Sequence, residues 1–350
     1  MSSTQQRSGH WDQWKGFAII AVIAIHATST TADQTHPAWA ESFSIVFRQF
    51  VNPAVALFLA MAGYFAARSW RGDAIEYWRS RGLRILPPYL AWTLIALALL
   101  KPSHFLSPWE LFKDFAFGTG IGIGYYVIVL LQYVLLVPVL ARLHGKAVNV
   151  VVMLVISLVG LSVSYTLQNT YANASWARFP YYCIPFFLWA PFFHLGFWAA
   201  RNADGVKPRS DGLWLWLAIA AMLAAVAEGF FWNSRNLYLL ATSQIKATSF
   251  LAAVFVTLHV IATRTQLHHG SVASGLAWLG RSSYLIYLSH MIFLPKVTSL
   301  VRNAMPTLFE FRPMALLLAT ALTAAICIGL AALLRAATPA AIHRDLLGAG

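Results

Sequence analysis

The sequence predicts an all-α, polytopic membrane bundle of about ten transmembrane helices with both termini in the cytoplasm. Three observations predict it. Of the 350 residues, 59% are apolar or aromatic and only 11% are charged, with a mean hydropathy of +0.63. A soluble domain of this size has no core large enough for so much apolar surface, so the solvent must be lipid. Apolar runs of spanning length recur along the whole chain, and Lys and Arg cluster in the short segments between them. That alternation orients a membrane protein, and it explains the net charge of +13 without nucleic acid. No polar stretch is long enough for a soluble appendage, so residues 1–350 read as one transmembrane domain.

The first predicted span is Lys15 to Thr31. A cleaved signal peptide is the alternative, but the apolar run contains His26 and the leader contains Asp12. The second span is Phe47 to Ala67. The segment after it carries Arg68, Arg71, Arg79, Arg81 and Arg84, and this densest positive cluster marks a cytoplasmic loop. The third span, Ile85 to Leu100, opens on Pro87 and Pro88, which a first helical turn tolerates.

Lys101 to Gly124 reads as an outer loop with four alternating glycines. It lacks the Gly-Lys-Ser/Thr of a phosphate loop. Further spans follow at Tyr125–Leu143, Val148–Leu167, Cys183–Ala200, Leu213–Phe231, Ser243–Thr263, Leu276–Val297 and Pro313–Leu334. Gln168 to Tyr182 reads as an aromatic outer loop, and Arg201, Lys207 and Arg209 as an inner one. Tryptophans near span ends, among them Trp11, Trp39, Trp109 and Trp176, read as headgroup anchors. Cys183 and Cys327 fall in apolar runs and suggest neither a disulfide framework nor a metal cluster. His268 and His269 are a lone loop pair, too weak for a metal site.

Ionisable groups within a bilayer are costly, so each one is a functional candidate. His26 is the first. It follows Lys15 by 11 residues, which puts both on nearly one helix face about 16 Å apart along the axis. Asp12 lies one turn before Lys15 and either orients it or caps the helix. Arg81 and Arg84 share a helix face at the third span, and guanidinium forks suit phosphates. Ser283, Tyr287 and His290 form a polar stripe at spacings of four and three, with Tyr284 one turn before Tyr287. The plain alternative for each is structural: orientation charge for the arginines, interhelical hydrogen bonding for the stripe. Glu228, near one end of the seventh span, is a weaker candidate.

Together these residues resemble the membrane-bound acyltransferase-3 family, which O-acylates surface sugars in bacteria. The family opens with an Asp, a basic residue three on and a His eleven further, as Asp12, Lys15 and His26 do. Ala62-Gly63-Tyr64 sits where the family's second span ends in Ser-Gly-aromatic. Arg81, Arg84, Ile85, Pro87 and Tyr89 match its Arg-x-x-Arg-Ile-x-Pro-x-Tyr. Tyr284, Tyr287 and His290 match its late Tyr-x-x-Tyr-x-x-His. The departures are Lys15 for the commoner arginine, Ala62 for serine, and Tyr125-Tyr126 for a Trp-led sequence.

The resemblance implies transfer of an acyl group, acetyl first among the candidates, from cytoplasmic acyl-CoA to a hydroxyl of an exported or lipid-linked glycan. Lys15, Arg81 and Arg84 would hold the coenzyme phosphates, and no metal is implied. His26 would act as general base or acyl carrier. Ser283, Tyr284, Tyr287, His290 and Glu228 would meet the acceptor. It also implies a multi-pass protein of a bacterial inner membrane, alongside glycan-synthesis partners. The rival readings are a polysaccharide or lipid-linked sugar transporter without acyl chemistry, and a non-catalytic membrane subunit. Against the first, no inverted repeat or paired broken helix is evident in the two halves.

Overall fold

The computed structural model describes residues 3–31, 38–143, 147–171, 174–202, 212–264 and 269–348, with the side chains of residues 3–8, 38 and 147–150 left aside. The described residues are helical, joined by short turns. Lys207, Arg209, His268 and residues 144–146, which follow the fourth expected span, lie outside them.

Fifteen α-helices are described: α1 (Ser3–Thr30), α2 (Ala38–Val51), α3 (Pro53–Ser69), α4 (Ala74–Leu100), α5 (Pro108–Ala116), α6 (Tyr125–Leu143), α7 (Ala147–Thr170), α8 (Ala190–Arg201), α9 (Leu213–Asn233), α10 (Tyr238–Ala241), α11 (Ala247–Ala262), α12 (Ser271–Arg281), α13 (Ser283–Ala304), α14 (Pro306–Glu310) and α15 (Arg312–Ala337). A π-helical turn follows over Ala341–Leu346.

Seven helical runs are long and apolar enough to cross a membrane, or eight if the bent pair Ser175–Cys183 and Phe186–Arg201 is one span. Two of the ten expected spans fall short on this measure. α11 has only 16 residues, and α1 begins in a polar leader.

Five expectations change. The arginine-rich segment is not a loop throughout, because α4 begins at Ala74 and carries Arg79, Arg81 and Arg84 on helical turns. Pro87 and Pro88 therefore lie inside a 27-residue helix rather than in its first turn; a membrane helix tolerates this where neighbours satisfy the freed backbone. The expected outer loop 101–124 contains a 3₁₀ turn (Pro102–Leu106) and α5, capped by Ser107 accepting from the Glu110 amide. The ninth expected span is two helices, α12 and α13, meeting at Ser282. Trp11 is 2% exposed and so packs inside the protein, whereas Trp39, Trp109 and Trp176 are exposed as headgroup anchors would be.

The chain divides into two compact units. The first comprises residues 1–10, 52–83 and 125–267. Its tightest contact is α3 against α8. A Cβ on Gly63 would stand 2.0 Å from Phe193 O, and one on Gly196 would stand 1.7 Å from Ala60 O. Small residues let helix backbones approach this closely in lipid, where packing rather than water drives association. The glycine of Ala62-Gly63-Tyr64 is therefore explained by packing. Tyr133 stacks on Phe193 at 4.1 Å, extending the same contact to α6.

The second unit comprises residues 11–51, 84–124 and 268–350. Here α1 crosses α12 on two glycines. A Cβ on Gly16 would meet Leu276 O at 2.0 Å, and one on Gly280 would meet Asp12 O at 1.8 Å. α13 packs along α15, and Ala27, Leu294, Leu316 and Ala319 form a buried cluster with Phe43, Phe47 and Met291 against it. The crossing on α12 and this cluster hold α1 alongside α13.

Candidate active site

The two imidazoles singled out by sequence meet in the second unit. The rings of His26 on α1 and His290 on α13 lie 5.4 Å apart, centroid to centroid, tilted by 43°. His290 is fully buried. Its Nδ1 lies 2.8 Å from Tyr287 O and 3.1 Å from Ile286 O. Carbonyls only accept, so Nδ1 carries the hydrogen and Nε2 presents a bare lone pair. That Nε2 is buried and has no hydrogen-bond partner among the described residues. Buried polar atoms seldom stay unpaired, so it asks for a donor.

His26 differs from its neighbours. From Ala21 to Thr28 it alone keeps accessible surface, and it is half-buried. It makes no hydrogen bond to a described residue. An imidazole in apolar surroundings with both nitrogens uncommitted can accept a proton or carry a group.

The α1 segment around His26 is held by two arginines that sequence reading passed over. Arg48 on α2 donates from Nη1 to Ile25 O at 2.8 Å and to Thr28 Oγ1 at 3.2 Å. Arg312, 3% exposed, donates to Thr31 O at 2.9 Å and Thr28 O at 3.0 Å. The last carbonyls of a helix lack intrahelical partners and carry the negative end of its dipole, so cations suit them. Placing an arginine within a bilayer costs about 2.5–3.5 kcal/mol on insertion scales, and these carbonyls offset part of that. The signal for Arg48 was present: it is a charge inside the expected second span.

The late polar stripe is only partly available to a substrate. Tyr287 donates its hydroxyl to Ile123 O, and Tyr284 donates to Ile85 O at 2.7 Å. Both hydroxyls tie α13 to neighbouring backbone. Ser283 is buried on the same helix.

At the start of α1, Lys15 pairs with Asp12 at 3.3 Å, both partly exposed. Arg84 is exposed. The carboxyl of Asp345 lies in its field and is held below the usual carboxylate range, first by its hydrogen bond from Arg344. Near it, Trp92 donates to Leu347 O at 3.1 Å, and Gly348 sits against Tyr284 and Pro88. Residues 345–348 thus lie along the stretch of α4 that carries Arg84.

Two expected site residues belong to the first unit. The Arg81 guanidinium lies 5.8 Å from the Tyr77 ring centroid. The Glu228 carboxylate accepts from Tyr165 OH, Trp232 Nε1, Thr248 N and Thr248 Oγ1. Four donors fill its lone-pair sites, so it joins α7, α9 and α11 and has no capacity left for a ligand.

An apposed imidazole pair on a first and a late helix is the geometry against which relatives can be weighed. The family pattern described as an acyltransferase domain matches residues 9–332, nearly the whole chain. The chain belongs to the acyltransferase-3 family. It is therefore a membrane acyltransferase, and its helices accord with a multi-pass protein. No curated protein and no solved structure matches it. Within the family match lie Asp12, Lys15, His26, Arg48, Arg84 and His290.

Proposed function

We propose that this acyltransferase moves an acetyl group from cytoplasmic acetyl-CoA to a hydroxyl of an exported or lipid-linked glycan in a bacterial inner membrane. The observation that carries the reading is the His26–His290 pair at 5.4 Å. Its members are an uncommitted, half-buried imidazole and a partner whose bare Nε2 is buried. His26 is the group that meets the reacting atoms. As general base it takes the proton of the acceptor hydroxyl while oxygen attacks the thioester carbonyl. The C–S bond then breaks and coenzyme A leaves as the thiol once protonated. As carrier, its ring nitrogen first attacks the thioester carbonyl and expels the coenzyme A thiolate, and the acceptor hydroxyl then takes the acyl group, giving up its proton as the imidazole is released. His290 fixes the orientation of whatever donor meets its Nε2.

The exposed Arg84, with Lys15, supplies cationic contacts for the coenzyme phosphates. Both termini are taken as cytoplasmic, as the sequence predicts, which sets those cations on the donor side.

Membranes holding wild-type protein or His26→Ala, given acetyl-labelled coenzyme A and candidate glycans, test this. Wild type incorporates label and the variant does not. Incorporation that survives His26→Ala removes the assigned group. Glycan export without incorporation by wild type favours the transporter reading.

A further inference from the structure

The segment between α4 and α6 contains a second histidine site that none of the preceding residues belongs to. His104, in the 3₁₀ turn, places Nδ1 2.6 Å from Asp114 Oδ2. The Asp114 side chain is 1% exposed, whereas His104 is 26% exposed. Thr119 donates to the other carboxylate oxygen at 2.7 Å.

The surrounding backbone is tied down as well. Tyr89 donates to Asp114 O at 3.3 Å and Phe115 O at 2.8 Å. Lys101 donates to Thr119 O at 2.9 Å. Gly118 and Gly122 supply left-handed turns with φ of 72° each. A Cβ on Gly124 would meet the Gly118 backbone at 2.7 Å, so the turn closes on itself. Ile123, at its end, accepts from Tyr287 on the helix that carries His290.

An ionised carboxylate only accepts, so the hydrogen of His104 sits on Nδ1. In the neutral, partly exposed ring Nε2 is then a bare acceptor, and no described residue donates to it. A metal would need more ligands than this pair, and among the described residues no group of three His, Cys, Asp or Glu gathers to hold one. What a lone, oriented nitrogen acceptor takes is a donor such as a hydroxyl.

We propose that His104, oriented by Asp114, is a binding subsite for a hydroxyl of the carbohydrate acceptor, accepting a hydrogen bond at Nε2. This rests on the acyl-transfer reading above, whose topology puts residues 101–124 on the face away from the acyl donor. The alternative is a clasp that only shapes the turn.

Asp114→Asn separates the two. Its amide oxygen keeps the Thr119 bond, while its amide nitrogen donates to His104 Nδ1. The ring hydrogen is forced to Nε2, and the acceptor becomes a donor. A clasp keeps its shape through that change, whereas a bound hydroxyl must turn round to accept from Nε2–H, which weakens the subsite; His104→Ala removes the bond altogether.

Binding of the methyl glycosides of glucose, galactose and mannose to protein in nanodiscs would be followed by saturation-transfer NMR, with the thermal midpoint measured in parallel. Wild type binds at least one of them. His104→Ala weakens that binding by about tenfold, the equivalent of one lost hydrogen bond, and Asp114→Asn by less, with the Asn variant still folded. If Asp114→Asn does not fold, His104→Ala decides. No binding by wild type, or wild-type binding by His104→Ala, overturns the proposal. Label transfer from acetyl-CoA is assayed on the same samples. Glycoside binding without transfer removes the acyl-transfer reading and leaves the subsite standing. Transfer with unaltered acceptor KM in both variants removes the subsite alone.

Discussion

His26 and His290 are 264 residues apart in sequence and 5.4 Å apart ring to ring. Only His290 has its tautomer fixed, by the carbonyls of its own helix. That asymmetry separates their roles and makes them separable by mutation. His26→Ala should lower kcat by about 10²–10⁴-fold, the span of a positioned acid–base group. His290→Gln should cost less. The double variant should cost less than the two single effects combined, because residues in contact are coupled. Steady-state label transfer measures this, and strict additivity would count against one shared site.

Arg48 should prove more important to α1 than its distance along the chain suggests. Arg48→Met leaves Ile25 O and Thr28 Oγ1 without this donor. A lost partner for a buried polar group costs about 1–3 kcal/mol. The thermal midpoint in detergent should fall, with Arg48→Lys falling less. An unchanged midpoint would show that these contacts are replaced by others.

Two glycines of one helix should behave in opposite ways. A Cβ on Gly280 would stand 1.8 Å from Asp12 O, whereas one on Gly275 would meet nothing within 4 Å. Gly280→Ala forces α12 away from α1 and should destabilise by about 1–3 kcal/mol. Gly275→Ala should be neutral or stabilise by up to about 1 kcal/mol through helix propensity. Thermal unfolding of the two variants side by side tests the crossing. Similar midpoints would mean that α1 and α12 do not meet there.

Arg84 is exposed and carries no packing role, so its effect should appear in binding alone. Arg84→Gln should raise KM for acetyl-CoA several-fold with kcat and thermal midpoint nearly unchanged. Added salt should raise the wild-type KM as well, because exposed charges are screened. Asp345→Asn should lower that KM, since it removes an opposing charge from the field of Arg84. A KM indifferent to all three would place the coenzyme elsewhere.

Much of this was legible before any coordinates. Run length and flanking charge depend only on local composition, so the helical class and most span boundaries followed from the sequence. α6 begins at Tyr125 and ends at Leu143, as its apolar run does. His26 and His290 stood out because an imidazole amid apolar residues is conspicuous at the level of single positions. Helix length beyond the apolar run was less visible. α4 starts eleven residues before Ile85, because a helix continues through charged residues wherever its backbone bonds are made, and hydropathy does not register that.

What only the tertiary structure decided is which polar groups are already spoken for. By sequence Tyr284 and Tyr287 were candidates beside His26, and Glu228 a weaker one, since each is a polar residue in an apolar run. Folding gives the tyrosines backbone carbonyls and fills Glu228 with four donors, while leaving His26 without a hydrogen bond to any described residue and His290 with a bare Nε2. The same holds for His104, an ordinary loop histidine by sequence, which acquires direction from a buried carboxylate ten residues away. Polarity is a property of the residue and can be read along the chain. Satisfaction is a property of the pair, and the pairs are set by which helices pack.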